Sequence, residues 1–182
     1  YMGALQATSL LIRDKCDILI HINVNVNKSI PAYDRIRAFQ ATCEEYHVPY
    51  DIDLSVKGDS YHEILNVIRE IFNKIEAKYP NQKKGIFLAN DTYANMFLNL
   101  IFQKYGTFPS TYEIVGFDNS PIASEAILPI TTIGQQIDVI AKTAMDLLVQ
   151  QMEEQKKRVP KPLGEPVHKQ IAPVLIRRNT TK

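Results

Sequence analysis

Two pairs of polar residues stand where a binding site is expected. Asn90-Asp91 and Asp118-Asn119 each come directly after a short apolar run that is typical of a buried strand. Amide groups donate and accept hydrogen bonds and carboxylates accept them, so these residue types can bind a polar ligand. Each pair also has a structural explanation, since Asp118 can satisfy its own turn and Asp91 can cap a helix. The residues alone leave both interpretations open.

The sequence contains no arrangement that predicts catalysis. Its four histidines are scattered, without the spacing of metal ligands. Neither Ser60 nor Ser120 lies in a G-x-S-x-G nucleophile elbow. The paired carboxylates Glu44-Glu45 and Glu153-Glu154 are typical of solvated helix surfaces. We therefore expect a protein that is not an enzyme and that needs no metal and no cofactor.

The elements that must position the polar pairs alternate between strands and helices. Apolar periodicity predicts strands near residues 17–22, 48–54, 84–89 and 113–117, and helices near residues 2–15, 30–43, 60–79 and 93–105. This alternation predicts an α/β protein with a doubly wound parallel sheet. Ligands of such sheets bind outside the carboxyl ends of the strands, where both polar pairs would lie.

The last third of the chain has a different pattern. Residues 128–135 are predicted to be extended, and a long helix is predicted over about 137–157. A loop with three prolines and one glycine follows at residues 159–166, and residues 167–178 then predict a final strand or two.

Composition limits the class of protein. The 182 residues suit one domain or two small ones, and no apolar run approaches the ~20 residues of a membrane helix. The formal net charge of +1 lacks the strongly basic footprint of a nucleic-acid binder. Cys16 and Cys43 are expected to be small buried hydrophobes in a reducing cytoplasm. The chain begins with Tyr1 and already has a helical pattern there, so we expect a fragment whose natural start lies upstream.

Three stretches together carry a family signature. They read G-I-F-L-A-N-D-T-Y-A at residues 85–94, Y-E-I-V-G-F-D-N at 112–119 and L-P-I-T-T-I-G-Q at 128–135, with L-I-R-R-N-T-T at 175–181. The segment R-I-R-A-F at 35–39 resembles an R-x-x-G-F helix start, with Ala38 in the glycine position. In order and separation these pieces resemble the effector-binding half of lactose/galactose-repressor (LacI/GalR) family transcription regulators, over essentially the whole chain.

The resemblance implies a type I periplasmic-binding-protein-like fold, in which a sugar effector binds in a cleft between two α/β lobes. Residues 1–15 and 135–160 would be parts of the N-terminal lobe, and residues 16–134 and 161–182 would form the C-terminal lobe. Most of the N-terminal lobe and the DNA-binding headpiece would then be absent from this chain. The intact protein would be a cytoplasmic homodimer that binds operator DNA through that headpiece and has no membrane contact.

The resemblance also implies effector contacts. Arg35, from the R-x-x-G-F position, Asn90 and Asp118 would bind the hydroxyls of a sugar or sugar phosphate. Asp91 and Gln135 are further candidates, although Asp91 could be a helix cap and Gln135 a hinge residue.

Two aromatic positions of the family are not kept. Ser60 and Ile137 stand where the family often has aromatic rings near the sugar. The adjacent Tyr61 could replace the first ring if the loop shifts, so Tyr61 is also a candidate contact. Reduced stacking leaves the identity of the sugar open, and a polar or phosphorylated effector would fit.

A periplasmic sugar-binding protein of a transport system is the alternative function, because it would share the fold and the G-F-D-N strand end. The terminal L-I-R-R strand and the P-I-T-T crossover favour the regulator.

Overall fold

The computed structural model describes residues 1–24, 30–159 and 162–182. In these residues, the helices are α1 (Met2–Arg13), α2 (Ile30–Glu45), α3 (Tyr61–Lys78), α4 (Asp91–Tyr105), α5 (Pro121–Glu125) and α6 (Ile137–Gln155). The strands are β1 (Ile18–Val24), β2 (Tyr50–Val56), β3 (Lys84–Leu88), β4 (Tyr112–Phe117), β5 (Thr131–Gly134) and β6 (Val174–Ile176). Among the described helices, none is both long and apolar enough to cross a membrane.

The strands form one sheet in the order β2-β1-β3-β4-β5-β6. The pairs from β2 through β5 are parallel, whereas β6 runs antiparallel to β5. The predicted α/β fold with a doubly wound parallel sheet is thereby confirmed. The strand order reverses between β1 and β3, and such a reversal opens a crevice at the carboxyl ends of the strands.

Two apolar clusters cover the two faces of the sheet. One face packs mainly against α3 and α4, with Ile68, Phe72 and Phe97 in its centre. The other face packs against α1 and α2, which contribute Leu11 and Phe39. Strands buried on both faces are largely apolar, as β1 is apart from the buried polar residues His21 and Asn23.

The N-terminal helix packs against the sheet, and the predicted division into lobes stays a prediction. Residues 1–15 were expected in the other lobe, but the small residues Ala4 and Ala7 and the side chain of Leu11 are buried in the core that α1 shares with the sheet. Gly3 lies so close to Phe117 and Ile133 that a β-carbon would collide with them. In this structure α1 therefore packs against the sheet that β1–β5 form.

Helix α6 packs differently from the other helices. It has no buried residue, and apolar side chains such as Met145, Leu148 and Met152 are exposed along it. Gln136, which precedes it, has a left-handed backbone with φ of 49°. The chain thus leaves the sheet after β5, and α6 lies outside the core.

Helix ends next to the sheet's carboxyl edge are capped by side chains. Ser60 forms a capping box with Glu63 at the start of α3. The Asn90 side chain accepts a hydrogen bond from the Tyr93 amide and begins α4. The cap of α4 is therefore Asn90, whereas the structural explanation given above had assigned it to Asp91.

Candidate functional site

The loop after β4 holds two consecutive residues in left-handed backbone conformations. Asp118 has φ of 97° and Asn119 has φ of 51°. The Asp118 amide donates to the Ile133 carbonyl at 2.8 Å, which anchors the loop to β5. Non-glycine residues in this region cost roughly 1–3 kcal/mol each and persist where surrounding contacts impose them. Such backbone strain is common at binding sites, so it marks this loop as a candidate binding site.

Asp118 and Gln135 form the exposed part of the site. The Gln135 side-chain amide donates to Oδ1 of Asp118 at 2.8 Å, which joins the ends of β4 and β5. Both residues line a depression of about 590 Å³ that also contains Asn119, Gln136 and Val174. Oδ2 of Asp118 and the side-chain oxygen of Gln135 have no hydrogen-bond partner among the described residues, and both side chains are exposed, so these oxygens can bind a ligand in this depression.

Arg35 is held in a fixed position by two contacts. Its Nη1 donates to the Ala89 carbonyl at 2.8 Å, and its guanidinium carbon lies 4.0 Å from the centroid of the Phe117 ring. Burial lowers the pKa of Arg35, and the negative charge of Asp118 opposes that shift. Arg35 and Gln135 line a second depression of about 230 Å³. A guanidinium carries five N–H donors, and within the described part of the chain one of them is bound, to Ala89, so the others can bind a ligand.

Asn90 lies at the same edge, and the oxygen of its side-chain amide is already hydrogen-bonded. Its Oδ1 accepts from the Tyr93 amide at 2.9 Å, and the side chain is half-buried. The side-chain NH₂ of Asn90 therefore remains its potential ligand donor.

Asp91 is buried, with 1% of its surface exposed. Its Oδ1 accepts from the Thr132 hydroxyl at 2.6 Å, and its Oδ2 accepts from the amide and hydroxyl of Ser120 at 2.8 and 3.2 Å. Burial raises the pKa of Asp91, and the hydrogen bonds from Thr132 and Ser120 oppose that shift. Both carboxylate oxygens are thus engaged by the protein itself.

Tyr61 begins α3, beyond the edge strand β2, and is exposed with its ring against that of His62. The structure therefore brings Arg35, Asp118 and Gln135 together, with Asn90 one strand away. Asp91 is buried below these residues, and Tyr61 lies beyond β2, at the far end of the sheet's carboxyl edge. As ligand contacts, all six residues remain predictions.

Sequence reasoning missed several residues that build this edge. Phe117 supports Arg35, Thr132 and Ser120 bind Asp91, and Arg178 donates to Oδ1 of Asn119 at 2.8 Å. The sequence did contain a signal for Phe117 and Thr132. Phe117 precedes Asp118 in the G-F-D-N motif, and Thr132 lies in the P-I-T-T motif at β5. Nothing local to the sequence of Arg178 indicated a partner 59 residues away.

The arrangement can bind a polar molecule through one carboxylate, one guanidinium and two amides. Charged donors and acceptors strengthen such hydrogen bonds roughly twofold relative to neutral pairs. In the described ranges, no group of three or more His, Cys, Asp or Glu side chains could hold a metal ion.

Comparison with known proteins gives relatives of one kind. A family model for the periplasmic binding protein-like domain matches residues 11–181. The ribose operon repressor of Halalkalibacterium halodurans is 27% identical over 180 residues, which cover 99% of this chain and 50% of that protein. The arabinose metabolism transcriptional repressor of Geobacillus stearothermophilus is 27% identical over 152 residues, which cover 82% of this chain and 39% of that protein.

Solved structures agree on the fold. A LacI family transcriptional regulator from Enterococcus faecium, with bound ribose, superposes with a TM-score of 0.74 at 19% identity and covers 98% of this chain and 62% of that chain. The chain spans about half the length of the repressors that it matches in sequence. These relatives are transcriptional repressors, so they bear out the predicted resemblance to LacI/GalR regulators. The chain belongs to the periplasmic binding protein-like domain family.

Proposed function

We propose that this chain is the effector-sensing part of a DNA-binding transcription regulator and that its effector is a sugar. The observation that carries the proposal is the open constellation of Asp118, Gln135 and Arg35 at the carboxyl edge of the sheet. The ribose and arabinose repressors among its relatives support a regulator over a transport protein.

The constellation matches the chemistry of a sugar. Neighbouring hydroxyls of a sugar ring can donate to the free oxygen of Asp118, and Arg35 can donate to hydroxyl or ring oxygens of the same molecule. Arg35 costs little conformational entropy on binding, because Ala89 and Phe117 already hold it. A phosphate on the sugar would also pair with the guanidinium.

The exposed helix α6 supports a two-lobed arrangement. Its unburied apolar side chains and the lack of buried residues fit a helix that packs against a second lobe. Residues 135–160 would then belong to the N-terminal lobe, with Gln135 and Gln136 at the crossing between lobes. A sugar that binds both lobes in one relative pose would shift the protein toward that pose.

The remaining parts of the proposal concern the whole protein. We infer that a DNA-binding headpiece outside this chain recognises an operator, that the protein acts in the cytoplasm, and that it forms a homodimer. Light scattering of the complete protein tests the last point, since a monomer at micromolar concentration would contradict it.

A thermal-shift screen of the complete protein tests the sugar. The panel holds D-ribose, L-arabinose, hexoses, their phosphates and nucleobases, with open-chain ribitol as the matched control for ribose. A sugar at ~100 times its dissociation constant should stabilise the protein by ~2.7 kcal/mol. One sugar class should raise the melting temperature and change operator binding, and ribitol should do neither. No shift with any sugar or sugar phosphate would overturn the proposal.

A further inference from the structure

The loop that presents Asp118 is held from below by one buried carboxylate. Oδ2 of Asp91 accepts from the Ser120 amide and hydroxyl. Oδ1 accepts from the Thr132 hydroxyl, and that hydroxyl oxygen in turn accepts from the Asn119 amide at 3.3 Å. Asp91 therefore orients the Ser120 amide directly and the Asn119 amide through the Thr132 hydroxyl.

The site around Asp91 is shaped for that carboxylate. Gly116 lies where a β-carbon would collide with Oδ1 of Asp91, so only glycine leaves room for it. Thr132, which binds the same oxygen, is completely buried. Burial of a carboxylate without hydrogen bonds is costly, so all three donors must stay in place while Asp91 is charged.

The left-handed backbone of Asp118 and Asn119 depends on such restraints. Neither residue is glycine, and both have positive φ. Arg178 supplies a second restraint, because its Nη2 donates to Oδ1 of Asn119 and its Nη1 donates to the Ile130 carbonyl at 2.9 Å. The loop is thus held between α4 on one side and the segment after β6 on the other.

We propose that Asp91 is a positioning residue of the effector site, which holds residues 118–120 so that the Asp118 carboxylate faces the cleft. This inference deepens the proposed sugar-sensing function and rests on it for its effect on affinity. It replaces the expectation that Asp91 itself contacts the effector. Binding gains from this arrangement because a preorganised loop loses less conformational freedom when the sugar binds.

The test combines amide exchange with sugar titration in the complete protein. Asp91→Asn keeps the size of the side chain but presents an NH₂ group to donors, and Thr132→Val removes the hydroxyl that links Asp91 to Asn119. Thr132→Ser restores that hydroxyl. Glu70→Gln, on the exposed side of α3, is the matched control for loss of a carboxylate. D-ribose is the probe, followed by the other sugars of the panel.

Amide exchange without ligand measures the positioning by itself. Asp91→Asn and Thr132→Val should speed exchange of the Asn119 and Ser120 amides at least about tenfold, while buried amides of β3 keep their protection. Thr132→Ser should restore slow exchange. Unchanged exchange at both amides in Asp91→Asn would overturn the proposal.

Titration measures the consequence for binding. The sugar's dissociation constant should rise about tenfold in Asp91→Asn and Thr132→Val, or 1.4 kcal/mol, and return toward the wild-type value in Thr132→Ser. An unchanged dissociation constant in Asp91→Asn would overturn the proposal even if exchange were faster. Failure of the wild-type protein to bind any sugar would instead contradict the proposed function, and the exchange rates alone would then decide the role of Asp91.

Discussion

The amino and carboxyl ends of the parallel sheet both carry carboxylates beside cations. At the amino end, Glu113 is 3% exposed and accepts from Lys83 Nζ at 2.8 Å and from the Lys182 amide at 3.0 Å. Burial raises the pKa of Asp14 to about 6, and a hydrogen bond to Glu113 adds to the shift. Burial alone would raise the pKa of Glu113, but its bonds to Asp14 and Lys83 outweigh burial and lower it.

At the carboxyl end, the charged groups are left open. Asp118 is exposed, accepts a side-chain hydrogen bond from Gln135, and lies in a strained backbone. Arg35 is half-buried, and its guanidinium donates a hydrogen bond to the Ala89 carbonyl. The two ends of one sheet thus show how charged groups with a structural role differ from charged groups that can bind a ligand. Charges that neutralise each other in the interior hold the fold together, and charges that are held in place but left open can bind a ligand.

Removal of the cation at the amino end should have the largest effect on stability. Lys83→Met leaves the buried Glu113 without its cation, and breaking such a pair costs ~3–5 kcal/mol. Urea unfolding at pH 7 measures the loss, and Lys74→Met on the exposed side of α3 is the control. Sugar affinity of the folded variant should stay within about twofold of wild type. If the free energy of unfolding fell by less than about 1 kcal/mol, or if the sugar affinity fell far more than twofold, the proposed difference between the two ends would be contradicted.

Titration of His21 should affect stability and leave the carboxyl end unchanged. His21 is 1% exposed, its Nδ1 donates to the Phe87 carbonyl at 2.8 Å, and its ring stacks on Phe87. Burial lowers its pKa to about 4, whereas the unfolded chain takes up a proton near pH 6.5. Between these values the unfolded state binds more protons, so stability falls as the pH is lowered, by about 2 kcal/mol from pH 7 to pH 5.

The measurement for His21 is a difference between two unfolding series. Wild type and His21→Phe are unfolded in urea at pH 7, 6 and 5, and the carboxylates of both proteins titrate alike. The gap between their free energies of unfolding should change by about 2 kcal/mol over this range. Parallel curves would show that His21 has the same pKa in the native and unfolded states, which would contradict the prediction.

A substitution of Arg35 tests whether the carboxyl end binds the sugar. Arg35→Lys loses the planar group that lies on Phe117 and bonds to Ala89, so sugar affinity should fall about tenfold, or 1.4 kcal/mol. Arg37→Lys is a matched control two residues along the same helix, because Arg37 is exposed. Calorimetric titration with the sugar from the screen measures both. Equal losses in the two variants would exclude a specific role for Arg35.

The sequence was sufficient to predict the fold and which polar residues lie at the carboxyl edge of the sheet. Alternating strand and helix patterns gave the order of the elements, because each pattern depends on neighbouring residues. The carboxyl ends of parallel strands meet at one edge, so residues that follow β3, β4 and β5 had to lie near each other. That reasoning predicted that Asn90-Asp91 and Asp118-Asn119 lie at one edge, and in the structure Asp91 accepts a hydrogen bond from the Ser120 amide in the loop after Asp118. Gln135 was a candidate only through the family resemblance, and it donates a hydrogen bond to Asp118.

The state of each polar group could not be predicted in the same way. Asp91 and Asn90 are neighbours in sequence, yet one is buried under the loop and the other caps α4. The burial of Asp91 depends on Thr132, which lies 41 residues away. The packing of α1 against this sheet was not predicted for a related reason, because an apolar face indicates that a helix is buried but not against which sheet.

The most direct test of the account is a calorimetric titration of Asp118→Asn with the sugar that stabilises the wild-type protein. Asparagine tolerates the left-handed backbone of this position, and the side chain is exposed, so the fold should lose under about 0.5 kcal/mol. Affinity should fall at least about a hundredfold, because the charged acceptor at the carboxyl end is gone. Asp59→Asn, in the exposed turn before α3, should bind as wild type does. A dissociation constant for Asp118→Asn within twofold of wild type would contradict the claim that this end of the sheet binds the effector.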